Sequence, residues 1–139
     1  MTLIDGTGMI LGRLSSNIAK RILGGERINL VNAEKIIISG NKNAAIAKYK
    51  VRFNIHGKGN PRKGPKFSRM PDRIVKYAVH GMLPNKSSRE KIALKNLKVF
   101  IGMPEEFKEM KPEPVEGAKK DVDTFITIEE LSKHFGVDW

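Results

Sequence analysis

Residues 2–39 read TLIDGTGMILGRLSSNIAKRILGGERINLVNAEKIIIS, and the order of patterns within them decides the fold. Thr2–Asp5 is a short run suited to a strand, and Gly6-Thr7-Gly8 is a turn leaving it. Leu11, Leu14, Ile18, Ile22 and Leu23 then recur at helical spacing, with Arg13, Asn17, Lys20 and Arg21 on the other faces. Gly24-Gly25 closes that helix, because a glycine just past the last turn accepts positive φ. Ile28–Val31 reads as a second strand. After Asn32-Ala33, Lys35–Ser39 reads as a third, and its three consecutive isoleucines suit a strand covered on both faces. Strand, helix, strand is a βαβ unit, whose strands run parallel and are joined by a right-handed crossover.

Outward from this unit, Gly40-Asn41 breaks the chain, and Ala45, Ile46, Tyr49 and Phe53 predict a second helix. Residues 56–70, HGKGNPRKGPKFSRM, carry one large apolar side chain, Phe67, between His56 and Met70. With so little to bury, this long basic loop cannot offset its own ordering entropy, and it needs a polyanion to lie against or stays disordered. Pro71 suits the first position of a third helix, where its missing N–H costs nothing. Ile74, Val75, Ala78, Val79 and Met82 form the apolar stripe of that helix, while Arg69, Arg73, Lys76 and His80 line another face. Ser87–Glu90 is a capping box opening a fourth helix, and Leu97–Ile101 a fourth strand. Beyond Pro104 the composition shifts to Glu, Lys, Pro and Gly, the signature of an extended tail rather than core. Within it, Thr127–Glu130 is another capping box, stapled by Ile126 and Leu131, and the short helix it opens should run through Phe135 and end at Gly136. The expected organisation is an α/β core domain over 1–103, containing the basic loop 56–70, and an acidic, proline-containing extension over 104–139.

A chain of 139 residues is long enough for a core without staples. The absence of cysteine excludes a disulfide framework, a thiolate metal site and a cysteine nucleophile. No apolar run approaches membrane length and the opening residues turn polar at once, so a cytoplasmic protein without a membrane partner is expected. The net charge of +11 is unevenly spread. Residues 42–98 hold sixteen Lys/Arg against two Asp/Glu, whereas residues 99–139 hold five against ten. Like charges at the first density repel unless a partner neutralises them, which points to nucleic acid. Lysines and arginines interspersed with Gly57, Gly59, Pro61, Gly64 and Pro65 suit close backbone approach to phosphates. Aromatic residues are few, 6% of the chain, and no paired stacking platform is visible. That favours a shape-and-phosphate binder of folded RNA over a reader of single strands.

Two rival readings use other features. Gly6-x-Gly8-x-x-x-Gly12, between a strand and a helix, is a loose form of the dinucleotide turn and would suit a nucleotide-binding α/β enzyme, with Glu34 the one acid near the ribose position. The second rival is a free RNA-binding assembly factor. His56, His80 and His134 are dispersed without metal-ligand spacing, and Asp72 and Glu90 each fall in the first turn of a helix, where the dipole favours a carboxylate. The residues thus predict no catalytic set, cofactor, metal or small-molecule substrate.

Four stretches together resemble the large-subunit ribosomal protein family L-thirteen. They are Asp5–Ser15 (DGTGMILGRLS), Val31–Gly40 (VNAEKIIISG), Met70–Ile74 with Val79–Pro84 (MPDRI and VHGMLP), and Ala93–Gly102 (ALKNLKVFIG). Residues 62–67, RKGPKF, and the long tail look like the archaeal–eukaryotic branch. The resemblance implies a three-layer α/β/α domain with a four-stranded parallel sheet. It also implies a structural role in the large ribosomal subunit, bound to rRNA beside neighbouring ribosomal proteins and needed early in assembly. The residues expected to meet RNA phosphates are Lys58, Arg62, Lys63, Lys66, Arg69, Arg73 and Lys76, followed by Lys86, Arg89, Lys91 and Lys95.

Overall fold

A computed structural model describes residues 1–84, 87–119 and 121–139 of the protein. Its centre is the expected βαβ unit. Strand β1 (Thr2–Asp5), helix α1 (Leu11–Leu23) and strand β2 (Ile28–Val31) follow in order, and β1 pairs with β2 in parallel from Thr2↔Ile28 to Asp5↔Val31. Helix α1 forms because Leu11, Leu14, Ile18 and Ile22 fall on one side and all four are buried. It ends as expected, except that Gly24 stays right-handed and Gly25 takes the positive φ, 92°.

The sheet itself departs from expectation. Three strands, not four, are parallel, in the order β1-β2-β4, with β4 at Leu97–Val99. The third expected strand, Lys35–Ser39, stands outside this sheet, and its first residue ends a 3-10 turn over Ala33–Lys35 that follows Asn32 in the left-handed region at φ 56°. The remaining strand β3 (Ile37–Ser39) pairs antiparallel with β5 (Phe125–Thr127), a strand hidden in what reads as a helix-capping segment. A parallel bridge, Ile10↔Ile37, ties β3 to the residue that enters α1. The fold is therefore α/β with parallel and antiparallel strands.

Helices α2 (Lys42–Phe53), α3 (Pro71–His80), α4 (Ser88–Lys95) and α5 (Ile128–His134) complete the described elements. Pro71 sits at the start of α3, whose Ile74, Val75 and Val79 are buried, but Met82 lies past its end and is exposed, and Leu83 is buried instead. The Ser87 cap forms, its hydroxyl accepting from the Arg89 N–H at 3.2 Å. Glu90 does not close the capping box, because its buried carboxylate takes His80 Nε2 at 2.7 Å and so pins α3 to α4. At the other box Thr127 Oγ1 accepts from the Glu130 N–H at 3.1 Å.

The segment after Pro104 is not free of core residues. In parallel register, Leu3 and Val31 face away from Ile4 and Leu30, and that side of the sheet is covered by Phe100 and Phe107, the latter on a 3-10 turn over Glu105–Phe107. Val115, Ala118, Ile126, Ile128 and Leu131 join the main core with α1 and α3. Compositional tail character fails here because isolated apolar residues, spaced without period, find ready-made hydrophobic ground on the βαβ unit.

Candidate nucleic-acid interface

The basic half of the chain runs from α2 through the loop to α4. Helix α2 has no fully buried residue. Asn41 caps it by accepting the Asn43 N–H at 2.9 Å, and it leans on the core through half-buried Ala45, Ile46 and Tyr49. Its last turn rests on the residue that follows α5 (Ile128–His134), Phe53 meeting Phe135 edge to face at 4.7 Å. The loop that follows is closed on itself. Lys63 and Gly64 donate backbone hydrogen bonds to the carbonyls of Asn60 and Pro61 at 3.1 and 3.3 Å. A Cβ on Gly64 would come within 2.7 Å of the Gly57 nitrogen, so only glycine lets the two strands of the turn touch there. The far end of the loop is anchored by Phe67, whose ring packs edge to face on Tyr77 at 5.7 Å.

Ten of the eleven expected phosphate contacts lie in described residues, and all ten are exposed. Lys86 lies outside the described residues. Lys58, Arg62 and Lys63 occupy the closed turn, and Lys91 and Lys95 the outer side of α4. Lys66, Arg73 and Lys76 converge on one cleft between α2, α3 and the loop end. Two arginines have further roles. Arg69 donates from Nη1 to the Phe135 carbonyl at 3.1 Å and lies over the Phe53 ring. Arg89 donates from Nη2 to the Leu23 carbonyl at 3.3 Å, serving the open end of α1. Among the described residues none of the ten forms an ion pair with a carboxylate; Arg21, Lys42, Lys108 and Lys133 do.

Four aromatic rings from separate segments meet beside these cations, although the sequence shows no paired stacking platform. The cleft, about 330 Å³, is walled by the rings of Tyr49, Phe53, Phe67 and Tyr77. Arg52 stands between the tyrosines, its guanidinium carbon 5.5 Å from the Tyr49 ring centroid and 5.8 Å from that of Tyr77. Burial pushes the Tyr49 phenol above its ordinary pKa, against the opposing pull of Arg52. Sequence reading missed Arg52 and these rings because they come from three segments. The one local signal was Tyr49, Arg52 and Phe53 at i, i+3 and i+4, a single helix side.

The glycine turn has structural occupants. A Cβ on Gly6 would lie 2.7 Å from Ile36 Cγ1, which accounts for glycine there by packing. The Ile10 N–H at the entry to α1 donates to the Ala118 carbonyl at 2.9 Å, and Glu34 accepts the Gly102 N–H at 2.9 Å. The Ile10 N–H and the Glu34 carboxylate, two groups a dinucleotide could use, are thus engaged within the fold. Among the described residues, no group of three or more His, Cys, Asp or Glu side chains could hold a metal ion.

Fold and charge together define a class, a small basic α/β domain with exposed cations that lack carboxylate partners among the described residues, three of them on one cleft. Residues 1–106 match the model of the family described as Ribosomal protein L13. The chain is 47% identical over 139 residues to the large ribosomal subunit protein uL13 of Archaeoglobus fulgidus, covering 97% of this chain and 87% of that one. It is 45% identical to the protein of the same name from Methanosphaera stadtmanae and 43% identical to that of Methanocaldococcus jannaschii, each over 98% of this chain. The chain belongs to the Ribosomal protein L13 family.

Proposed function

We propose that this chain is a structural, non-catalytic constituent of the large ribosomal subunit of the cytoplasm, where it binds rRNA, touches neighbouring ribosomal proteins and supports subunit assembly. The observation that carries the proposal, beyond family membership, is the set of ten exposed cations without a carboxylate partner among the described residues. Cations left uncompensated in this number repel one another in the free protein and are relieved by phosphate. Lys58, Arg62, Lys63 and Lys66 bring the loop to the RNA, Arg69, Arg73 and Lys76 continue the contact along α3, and Lys86, Arg89, Lys91 and Lys95 extend it to α4. Within this reading the core has three layers. The 3-10 turn Glu105–Phe107 and its flanks stand in for a helical layer on the side of Leu3 and Val31.

A salt titration of binding to large-subunit rRNA fragments tests the proposal. Replacing Arg62, Lys63 and Lys66 with Ala should flatten the log–log salt slope by about 0.7–0.9 per lost contact, about 2–3 in all. An unchanged affinity and slope would remove the loop from the interface.

A further inference from the structure

The cleft between α2, α3 and the loop end has chemistry that phosphate binding alone does not use. A phosphate needs cations, yet the wall also carries the rings of Tyr49, Phe53, Phe67 and Tyr77, and Tyr77 remains 49% exposed. A flat apolar occupant would cover that surface. The charge of the lining narrows the choice further. Arg52, Lys66, Arg73 and Lys76 lie on the cleft and no Asp or Glu does, so the occupant is anionic as well as flat. Its size is bounded too, because about 330 Å³ is at the small end of ligand-sized cavities, about 300–1,000 Å³, and holds one aromatic unit rather than a stack.

We propose that the cleft receives a single unstacked nucleobase of the RNA. The base lies against Tyr77 and Phe67, and Lys66, Arg73 and Lys76 hold its flanking phosphates. This rests on the rRNA-binding reading above and deepens it. Arg52 is held by two tyrosine rings, so its charge is fixed in the wall of the cleft, where it favours an anionic occupant at little further entropic cost. The edge-to-face contact of Phe67 on Tyr77 carries the loop with it, so filling the cleft also fixes where the loop enters α3. Stacking on rings is indifferent to base identity, and the cleft selects an unpaired nucleotide at a junction or bulge rather than a sequence.

The test uses the full chain and a large-subunit rRNA transcript, with affinity measured across a salt series. Tyr77→Leu keeps apolar bulk at a half-exposed position but removes the ring, and it should weaken binding by about 5- to 150-fold at every salt concentration with the slope unchanged. Tyr77→Phe should bind within about twofold of the parent, since the ring is kept. Ultraviolet cross-linking of the complex, followed by peptide mapping, should place a nucleotide on Phe67 or Tyr77. Tyr77→Leu binding like the parent, with no cross-link in residues 49–80, would overturn the proposal and point to a protein side chain as the occupant. A flattened slope for the Arg62, Lys63 and Lys66 variant in that same case would leave the phosphate reading standing. Failure of the parent chain to bind the transcript would overturn both.

Discussion

Replacing Leu131 with Ala tests whether the segment after Pro104 is appendage or core. Leu131 is 0% exposed in α5 and belongs to the main cluster with Ile126 and Ile128, where α5 meets α3 and the turn over Ala33–Lys35. Truncating a fully buried leucine removes its transfer free energy and leaves a cavity, at a cost of about 2–5 kcal/mol. For a domain of this length each kcal/mol moves Tm by about 3–4 °C, so the midpoint should fall by about 6–20 °C. Glu109→Ala, on an exposed part of the same segment, should stay within about 0.5 kcal/mol of the parent. A chain ending at Met103 goes further. It loses β5 from the edge of β3, Phe107 from Leu3 and Val31, and Val115 and Ala118 from the core, and it should show no cooperative transition by circular dichroism. If that shortened chain melted at the parent midpoint and Leu131→Ala shifted it by less than about 1 °C, the segment would be a detachable tail and the packing argument would fail.

Two further outcomes follow from local geometry. Glu26 accepts hydrogen bonds from Arg21 and from the Thr2 hydroxyl, and its carboxyl is held at about 2 against an ordinary 4.5, the Arg21 bond being the largest cause. A folded-state value below the unfolded one stabilises above the ordinary value, and that stabilisation is lost as pH falls from 4.5 toward 2. Glu26→Gln should therefore flatten the decline of the urea midpoint across that window, and parallel declines would refute the linkage. Gly6→Ala would drive a Cβ to 2.7 Å from Ile36 Cγ1 and 3.2 Å from the Val31 carbonyl, so it should destabilise by about 1–3 kcal/mol in denaturant titrations. An unchanged midpoint would mean that Ile36 swings away without cost.

What could be read from the sequence depended on whether the signal was local. The βαβ unit was legible because α1 repeats its apolar residues over three turns and β2 is a short run with turn residues on both sides. Pro71, Ser87 and Thr127 marked helix starts, since capping chemistry is decided within four residues. Strand β5 was not legible. Phe125–Thr127 is three residues long and is a strand only because Ile37–Ser39 lies across from it. Phe107, Val115 and Ala118 were misjudged for a related reason, because single apolar residues among Glu, Lys and Pro carry no period. In the candidate interface the cations were visible by density. That Arg69 and Arg89 also bond backbone carbonyls was not, nor was the meeting of Tyr49, Phe53, Phe67 and Tyr77 around Arg52.

The placement of the acids gives the charge pattern its meaning. Glu113 goes to Arg21 and Glu130 to Lys42, so the acidic segment offsets cations of α1 and of the first turn of α2. Glu105 and Glu129 pair with Lys108 and Lys133 inside the segment itself. Glu90, one of only two acids in residues 42–98, is spent on His80 to join α3 to α4. None of these pairings draws on the ten candidate cations, although several acids are within the same small domain. Had those cations been paired internally, RNA would first have to break each pair, and much of the electrostatic gain would be lost to that exchange. Left without carboxylate partners, they repel in the free chain, and under the proposed function phosphate would relieve that repulsion without first breaking an ion pair. On that proposal salt would act in opposite directions on the two states, easing the repulsion in the free protein while competing with the protein for the RNA.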